Sequence, residues 1–134
     1  MTVVVGWTPD ARGRAALERA AHEARAHGEE LLVVNATTGT AAVDDRFAAA
    51  AQVGDVQAQL DALGVEARVV QPVVRDVPEG LLAIADDVDA SVVVIGIRHR
   101  SPVGKFLLGS TAQRILLDAR CPVLAVKAAD APGR

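Results

Sequence analysis

Five short runs of aliphatic residues, many of them β-branched, recur along the chain. They cover residues 3–7, 31–34, 67–70, 92–95 and 123–126. Near-continuous apolar runs, as opposed to alternating ones, are typical of strands that are covered on both faces, as in a parallel sheet. The pattern therefore predicts five strands of one buried parallel sheet.

Stretches with apolar residues three and four positions apart lie between these runs and predict four helices. The first spans residues 10–27 and has a narrow stripe of small side chains, so it can pack close to a sheet. A glycine follows each of the first two helices, Gly28 and Gly64, where a left-handed residue commonly ends a helix. The apolar positions of the second helix are Val53, Val56, Leu60 and Leu63.

The third and fourth predicted helices have recognisable beginnings. Asp76 and Glu79 have the spacing of a capping box, and Pro78 falls in the first turn of the third helix. The fourth helix is predicted over residues 109–119. We expect three of its side chains to face inward: Ala112, Ile115 and Leu116.

The alternation βαβαβαβαβ, combined with right-handed crossovers, predicts an α/β fold: a single three-layer α/β/α sandwich of the nucleotide-binding, Rossmann-like type. The simplest sheet is five-stranded and parallel, in the order 3-2-1-4-5. We expect one domain over residues 1–127 and a disordered tail over 128–134. Because the winding reverses between strands one and four, a ligand crevice is expected outside their carboxyl ends. Residues 37–47 mix small and polar side chains and predict no particular structure.

Composition narrows the possible partners. The chain has 134 residues, 2% aromatic residues and a net charge of -3, which argues against nucleic-acid or membrane binding by the molecule as a whole. Cys121 is the only cysteine, so the sequence has no internal disulfide and no cysteine-rich metal site. Without an evident leader or membrane-spanning segment, we expect a cytoplasmic protein.

The segment from strand four into helix four, GIRHRSPVGKFLLGSTAQRILL at residues 96–117, concentrates glycines, hydroxyls and positive charge. Free backbone N–H groups and the helix dipole make such a junction suitable for binding phosphate. The alternative is that the glycines only shape a loop, Ser110 caps the helix and the basic residues are solvated. Neither a Walker A motif nor a GxGxxG dinucleotide motif fits this sequence.

Catalytic chemistry has little support. The adjacent pairs Asp44–Asp45 and Asp86–Asp87 would diverge by about 100° on a helix, which favours solvated charge over a metal site. Cys121 is expected to be a packed, inert thiol. No set of nucleophile, base and orienting acid can be assembled from the sequence.

Three stretches, VVVIG at 92–96, LGS at 108–110 and RCPVLAV at 120–126, resemble the universal stress protein family, and the resemblance covers nearly the whole chain. It implies a stress-response factor that binds an adenine nucleotide, ATP or AMP, between strands one and four. Mg²⁺ could accompany ATP. The factor would act through nucleotide-dependent contacts with an unknown protein partner, with at most slow ATP hydrolysis.

In that family the loop after strand four often reads G-x2-G-x9-G-[ST]. Here Gly96, Gly109 and Ser110 match the pattern, but His99 stands in place of the second glycine. Thr8 stands where ATP-binding members commonly have an aspartate. These departures favour an alternative, a nucleotide-free dimeric interaction protein of the same fold.

The junction between strand four and helix four and the resemblance together assign roles to twelve residues. Those expected to hold phosphate by backbone N–H groups, hydroxyls or charge are Gly96, Arg98, His99, Gly104, Lys105, Gly109, Ser110 and Thr111. Those expected at the nucleoside are Trp7, Thr8, Val34 and Asn35. A homodimer is expected through strand five, from Pro122 to Val126, because an apolar sheet edge invites pairing.

Overall fold

A computed structural model describes residues 1–39, 48–97 and 109–128, in which strands and helices alternate. The strands are β1 (Thr2–Gly6), β2 (Glu30–Val34), β3 (Ala67–Val70), β4 (Ala90–Ile97) and β5 (Val123–Lys127). The helices are α1 (Ala11–His27), α2 (Ala50–Ala62), α3 (Val77–Asp87) and α4 (Ser110–Asp118).

The five strands form one parallel sheet in the order β3-β2-β1-β4-β5, which confirms the predicted topology. In the central register Val4 lies between Leu32 of β2 and Val93 of β4. The winding reverses between β1 and β4, where Gly6 pairs with Ile95. After the carboxyl ends of these two strands the chain turns to opposite faces of the sheet, which leaves a crevice between them, as expected for a ligand site.

Successive side chains of the sheet enter two separate apolar layers, because strand side chains alternate between faces. Val3 and Val5 pack against the small side chains of α1 and against α2. Val4 packs on the other face with Leu81 of α3 and Ile115 of α4. Both faces of the sheet are thus covered, which explains the near-continuous apolar runs.

The predicted helix ends are present. The Asp10 side chain caps α1 and that of Asp76 caps α3. Gly28 and Gly64 have φ angles of 65° and 73°, in the left-handed region that favours glycine. Local sequence signals thus determined these boundaries.

Some details differ from the sequence-based expectations. β4 extends two residues beyond the apolar run at each end, because Ala90 at one end and Gly96 and Ile97 at the other also pair with neighbouring strands. The prediction that Leu116 faces inward is wrong: it is 38% exposed, and Ile115 is the buried residue of α4. Successive helix residues are separated by about 100°, so the narrow stripe that faces the sheet leaves Leu116 outside.

The last residue that the structure describes at the carboxyl end is packed and hydrogen-bonded. Ala128, the first residue of the expected tail, is 6% exposed, and its N–H donates to the Ile97 carbonyl at 2.9 Å. Residues 129–134 lie outside the described residues. In the part of the chain that is described, no helix has the length and apolar character needed to cross a membrane.

Candidate functional site

A crevice of about 280 Å³ opens at the carboxyl ends of β1 and β4. Strand ends form its floor, the start of α1 lies on one side, and α3 and α4 lie on the other. Its size is close to the lower end of the range for small-molecule pockets, roughly 300–1,000 Å³. The residues that line it are Gly6, Trp7, Thr8, Arg12, Gly13, Val34, Ala36, Thr38, Val77, Leu81, Ile95, Gly96, Ile97, Gly109, Ser110, Thr111, Ala112 and Ile115.

The turn from β1 into α1 is organised by one carboxylate. Asp10 Oδ1 accepts hydrogen bonds from the Thr8 hydroxyl at 2.8 Å and from the Gly13 N–H at 2.9 Å. Burial of the Asp10 carboxyl raises its pKa, but these two hydrogen bonds and the nearby Arg12 outweigh burial and bring the pKa below its usual value. Asp10 is therefore a charged cap, which also orients Thr8 at the crevice.

Two glycines allow the chain to approach itself closely at this turn. A Cβ at Gly13 would lie 1.6 Å from the Thr8 carbonyl oxygen, and one at Gly96 would lie 2.1 Å from the Arg12 carbonyl oxygen. Neither distance is possible for a real side chain. Gly96 lines the crevice as predicted, but the structure gives it a packing role as well, because it makes room for the backbone of α1.

Arg12 also lines the crevice, and sequence reasoning did not identify it. Its side chain is 40% exposed, and its Nη2 lies 3.6 Å from Asp10 Oδ2. A basic residue in the first turn of the helix after strand one, beside the predicted reversal, was the available signal. Its position at the crevice depends on how α1 packs on β4.

The start of α4 forms the opposite rim. Gly109 is the N-cap residue, and within the described residues no side chain caps this helix. The alternative in which Ser110 caps the helix is therefore wrong; Ser110 and Thr111 are exposed first-turn residues that line the crevice. The first-turn N–H groups of a helix have no intrahelical partner and carry partial positive charge, so this rim suits an anion.

Two predicted nucleoside residues are built into the protein interior. Asn35 is fully buried: its Nδ2 donates to the Trp7 carbonyl at 2.9 Å, and its Oδ1 accepts from the Ala48 N–H at 2.8 Å and from Gln71 Nε2 at 3.1 Å. It does not line the crevice, whereas Val34 does. Trp7 is 6% exposed and belongs to the core beside α1. Trp7 nevertheless lines the crevice at its floor, and Asn35 supports that floor from behind.

Four predicted phosphate residues, Arg98, His99, Gly104 and Lys105, lie outside the described residues. The structure therefore brings together Thr8, Val34, Gly96 and the start of α4, together with Trp7 at the floor.

Other candidate chemistry is weak in the described ranges. No group of three or more histidine, cysteine or acidic residues there could hold a metal ion. Asp86 lies 3.9 Å from Arg120, with both side chains well exposed, as expected for solvated charge. Burial and the nearby Asp86 raise the pKa of the Cys121 thiol, which fits an inert cysteine.

An ion pair joins the two helices on one side of the crevice. Arg114 Nη1 of α4 donates to Asp76 Oδ1 at 2.8 Å, and Asp76 also caps α3. The hydrogen bonds from Arg114 and from the Glu79 N–H hold the pKa of Asp76 below its usual value. The pair is partly exposed, so solvent screening weakens its contribution to stability. It nevertheless fixes the start of α3 to the middle of α4.

Comparisons with known proteins agree with this architecture. The model of the universal stress protein family matches residues 1–127. A universal stress protein from Mycolicibacterium smegmatis is 54% identical over 125 residues, covering 93% of this chain and 96% of the relative. The solved structure of a universal stress protein from Archaeoglobus fulgidus superposes with a TM-score of 0.80 at 32% identity and covers 94% of this chain and 97% of its own.

A second structure shows an A. fulgidus universal stress protein in complex with dAMP. It has a TM-score of 0.71 and 27% identity, and the match covers 94% of this chain and 96% of that one. The fold, the family model and the relative of nearly equal length lead to one conclusion. The chain belongs to the universal stress protein family.

Proposed function

We propose that this protein binds an adenine nucleotide, ATP or AMP, in the crevice between β1 and β4 and acts through nucleotide-dependent contacts with a partner protein. The observation that carries the proposal is the crevice itself, with apolar walls and, at one rim, a helix start that has no side-chain cap among the described residues. The dAMP complex of a relative with the same fold supports the choice of an adenine nucleotide.

The phosphate end is assigned to the start of α4. Backbone N–H groups from Gly109 onward and the hydroxyls of Ser110 and Thr111 are suitable donors to phosphate oxygens. In the proposal, Arg98, His99, Gly104 and Lys105 complete this end from residues 98–108. Mg²⁺ would enter with ATP.

The nucleoside end is assigned to the apolar part of the crevice. Ala36, Val77 and Ala112 line the crevice, are partly exposed and offer aliphatic surface to a base or a ribose. The Thr8 hydroxyl donates to Asp10, but its oxygen can still accept a hydrogen bond from a ligand hydroxyl or amino group. Thr8 can therefore contact a nucleoside, although it cannot supply the negative charge of an aspartate.

A binding role fits the site better than a catalytic one. The described lining of the crevice contains one ionisable side chain, Arg12, and an arginine is a poor general base. The proposal therefore includes at most slow ATP hydrolysis and assigns the function to a change in partner contacts.

Calorimetric titration with AMP and with MgATP tests the proposal. We expect saturable one-to-one heat below about 1 mM ligand, a free energy of at least roughly 4 kcal/mol. Ala112→Leu adds bulk to a residue that lines the crevice and should abolish the heat, whereas Ala58→Leu on the exposed face of α2 should not. Absence of heat from the unchanged protein would contradict the proposal.

The edge of the sheet favours a second candidate, a nucleotide-free dimeric interaction protein. β5 is an edge strand, and Val123, Leu124, Ala125 and Val126 are only partly buried although all four are apolar. An apolar edge of this kind favours pairing with a second copy. We propose a homodimer through residues 122–126, which is compatible with either function.

Sedimentation velocity measures the assembly directly. We expect a dimer at micromolar concentration, with the same sedimentation coefficient with and without AMP if the dimer serves as a scaffold alone. A monomer throughout this range would remove the dimer from both candidate functions.

A further inference from the structure

The electrostatic character of the crevice depends on one side chain among the described residues. Apart from Arg12, the lining consists of glycine, apolar residues and the hydroxyl residues Thr8, Thr38, Ser110 and Thr111. The protein as a whole carries a net charge of -3. Arg12 therefore supplies the one charged side chain of the described lining, with the Asp10 carboxylate 3.6 Å away beside it.

Most of the hydrogen-bonding capacity of Arg12 is available to a ligand. A guanidinium has five N–H donors, and the 3.6 Å approach of Nη2 to Asp10 engages one side of it at a long distance. Asp10 directs its Oδ1 to Thr8 and Gly13 instead. At 40% exposure the guanidinium is oriented by Asp10 without being covered.

The backbone that carries Arg12 is held on both sides. Gly13 allows the helix to lie against the Thr8 carbonyl, and Gly96 allows the Arg12 carbonyl to lie against β4. The Arg12 backbone is therefore fixed relative to the floor of the crevice. A fixed backbone lowers the ordering cost of a contact between the Arg12 side chain and a ligand, which favours affinity.

We infer that Arg12 is a further specificity-determining residue, which favours phosphate-bearing ligands over neutral nucleosides in the crevice. The inference rests on the proposed function and adds a residue to it. Arg12 binds the phosphate from the α1 side, and the start of α4 binds it from the other. A guanidinium and a phosphate form charge-assisted hydrogen bonds, often two in parallel, which a nucleoside cannot make.

The test compares AMP with adenosine by calorimetry in three proteins. Arg12→Gln removes the guanidinium, and Arg14→Gln is the matched control, because Arg14 lies in the same first turn, is exposed and does not line the crevice. We expect Arg12→Gln to weaken AMP binding roughly 10- to 100-fold and to change adenosine binding less than about twofold. Arg14→Gln should leave both affinities close to those of the unchanged protein.

The outcomes separate this inference from the proposed function. Equal losses for AMP and adenosine in Arg12→Gln, or no loss, would overturn the role of Arg12 while nucleotide binding stands. Failure of the unchanged protein to bind AMP would overturn both. Arg12→Lys keeps the charge and should recover part of the AMP affinity; a lysine variant as weak as the glutamine variant would contradict a role for positive charge.

Discussion

Replacing Gly13 with alanine is expected to lower the free energy of unfolding by about 3 kcal/mol. The new Cβ would lie 1.6 Å from the Thr8 carbonyl oxygen and 2.6 Å from the Thr8 amide nitrogen. The same carbonyl accepts the Asp10 N–H at 2.9 Å, so the turn cannot move away without losing that hydrogen bond. Alanine favours a helix interior by about 1 kcal/mol over glycine, but the backbone clash is the larger effect.

Gly54→Ala is the matched control for this prediction. Gly54 lies within α2 with open space where a Cβ would be added, so alanine should stabilise the protein by about 0.5–1 kcal/mol. Urea unfolding followed by circular dichroism measures both variants. If Gly13→Ala proved as stable as the unchanged protein, the first turn of α1 would not be packed against Thr8 as described.

Asn35→Ala should destabilise the protein by a similar amount, about 3 kcal/mol. The substitution leaves the Trp7 carbonyl and the Ala48 N–H without their amide partner, and Gln71 Nε2 loses one of its two acceptors. Each buried polar group left unpaired costs roughly 1–3 kcal/mol. The segment at Ala48 and the turn at Trp7 should loosen together, because the amide of Asn35 joins them.

Gln59→Ala is the control, because it removes a side-chain amide that is not buried. Gln59 is exposed on α2, and its substitution should change the unfolding free energy by about 0.5 kcal/mol or less. Hydrogen exchange adds a local measurement: the Ala48 N–H should exchange much faster in Asn35→Ala than in Gln59→Ala. Equal protection of this amide in the two variants would contradict the network.

The sheet could be predicted from the sequence because its strands are buried on both faces. Strands buried in this way consist of nearly continuous apolar residues, which are easy to recognise. The caps at Asp10 and Asp76 were predictable as well, since each depends on residues within one turn. Leu116 shows the limit of the pattern. Helical spacing identifies an apolar stripe, but how much of the stripe the sheet covers depends on how the helix lies on it.

The site was less predictable, because its decisive contacts join distant segments. Asn35 stands at the end of a strand, as a ligand-binding residue would, yet its partners Ala48 and Gln71 lie 13 and 36 residues away. No local sequence pattern shows that these two residues hydrogen-bond to the Asn35 side chain. Arg12 was missed for the related reason that its place at the crevice follows from the contact of α1 with Gly96.

The two sides of the crevice differ in how closely their helices are packed. On one side α1 buries six residues, and close backbone packing at Gly13 and Gly96 holds it in place. On the other, α4 buries Ile115 alone among its nine residues and is tied to α3 by the Arg114–Asp76 pair. If a ligand drew the two sides together, we would expect α4, which buries fewer residues, to move, and α3 to move with it. Occupancy of the crevice would then be transmitted to the outer surface of α3 and α4, while the surface formed by α1 and α2 stays the same.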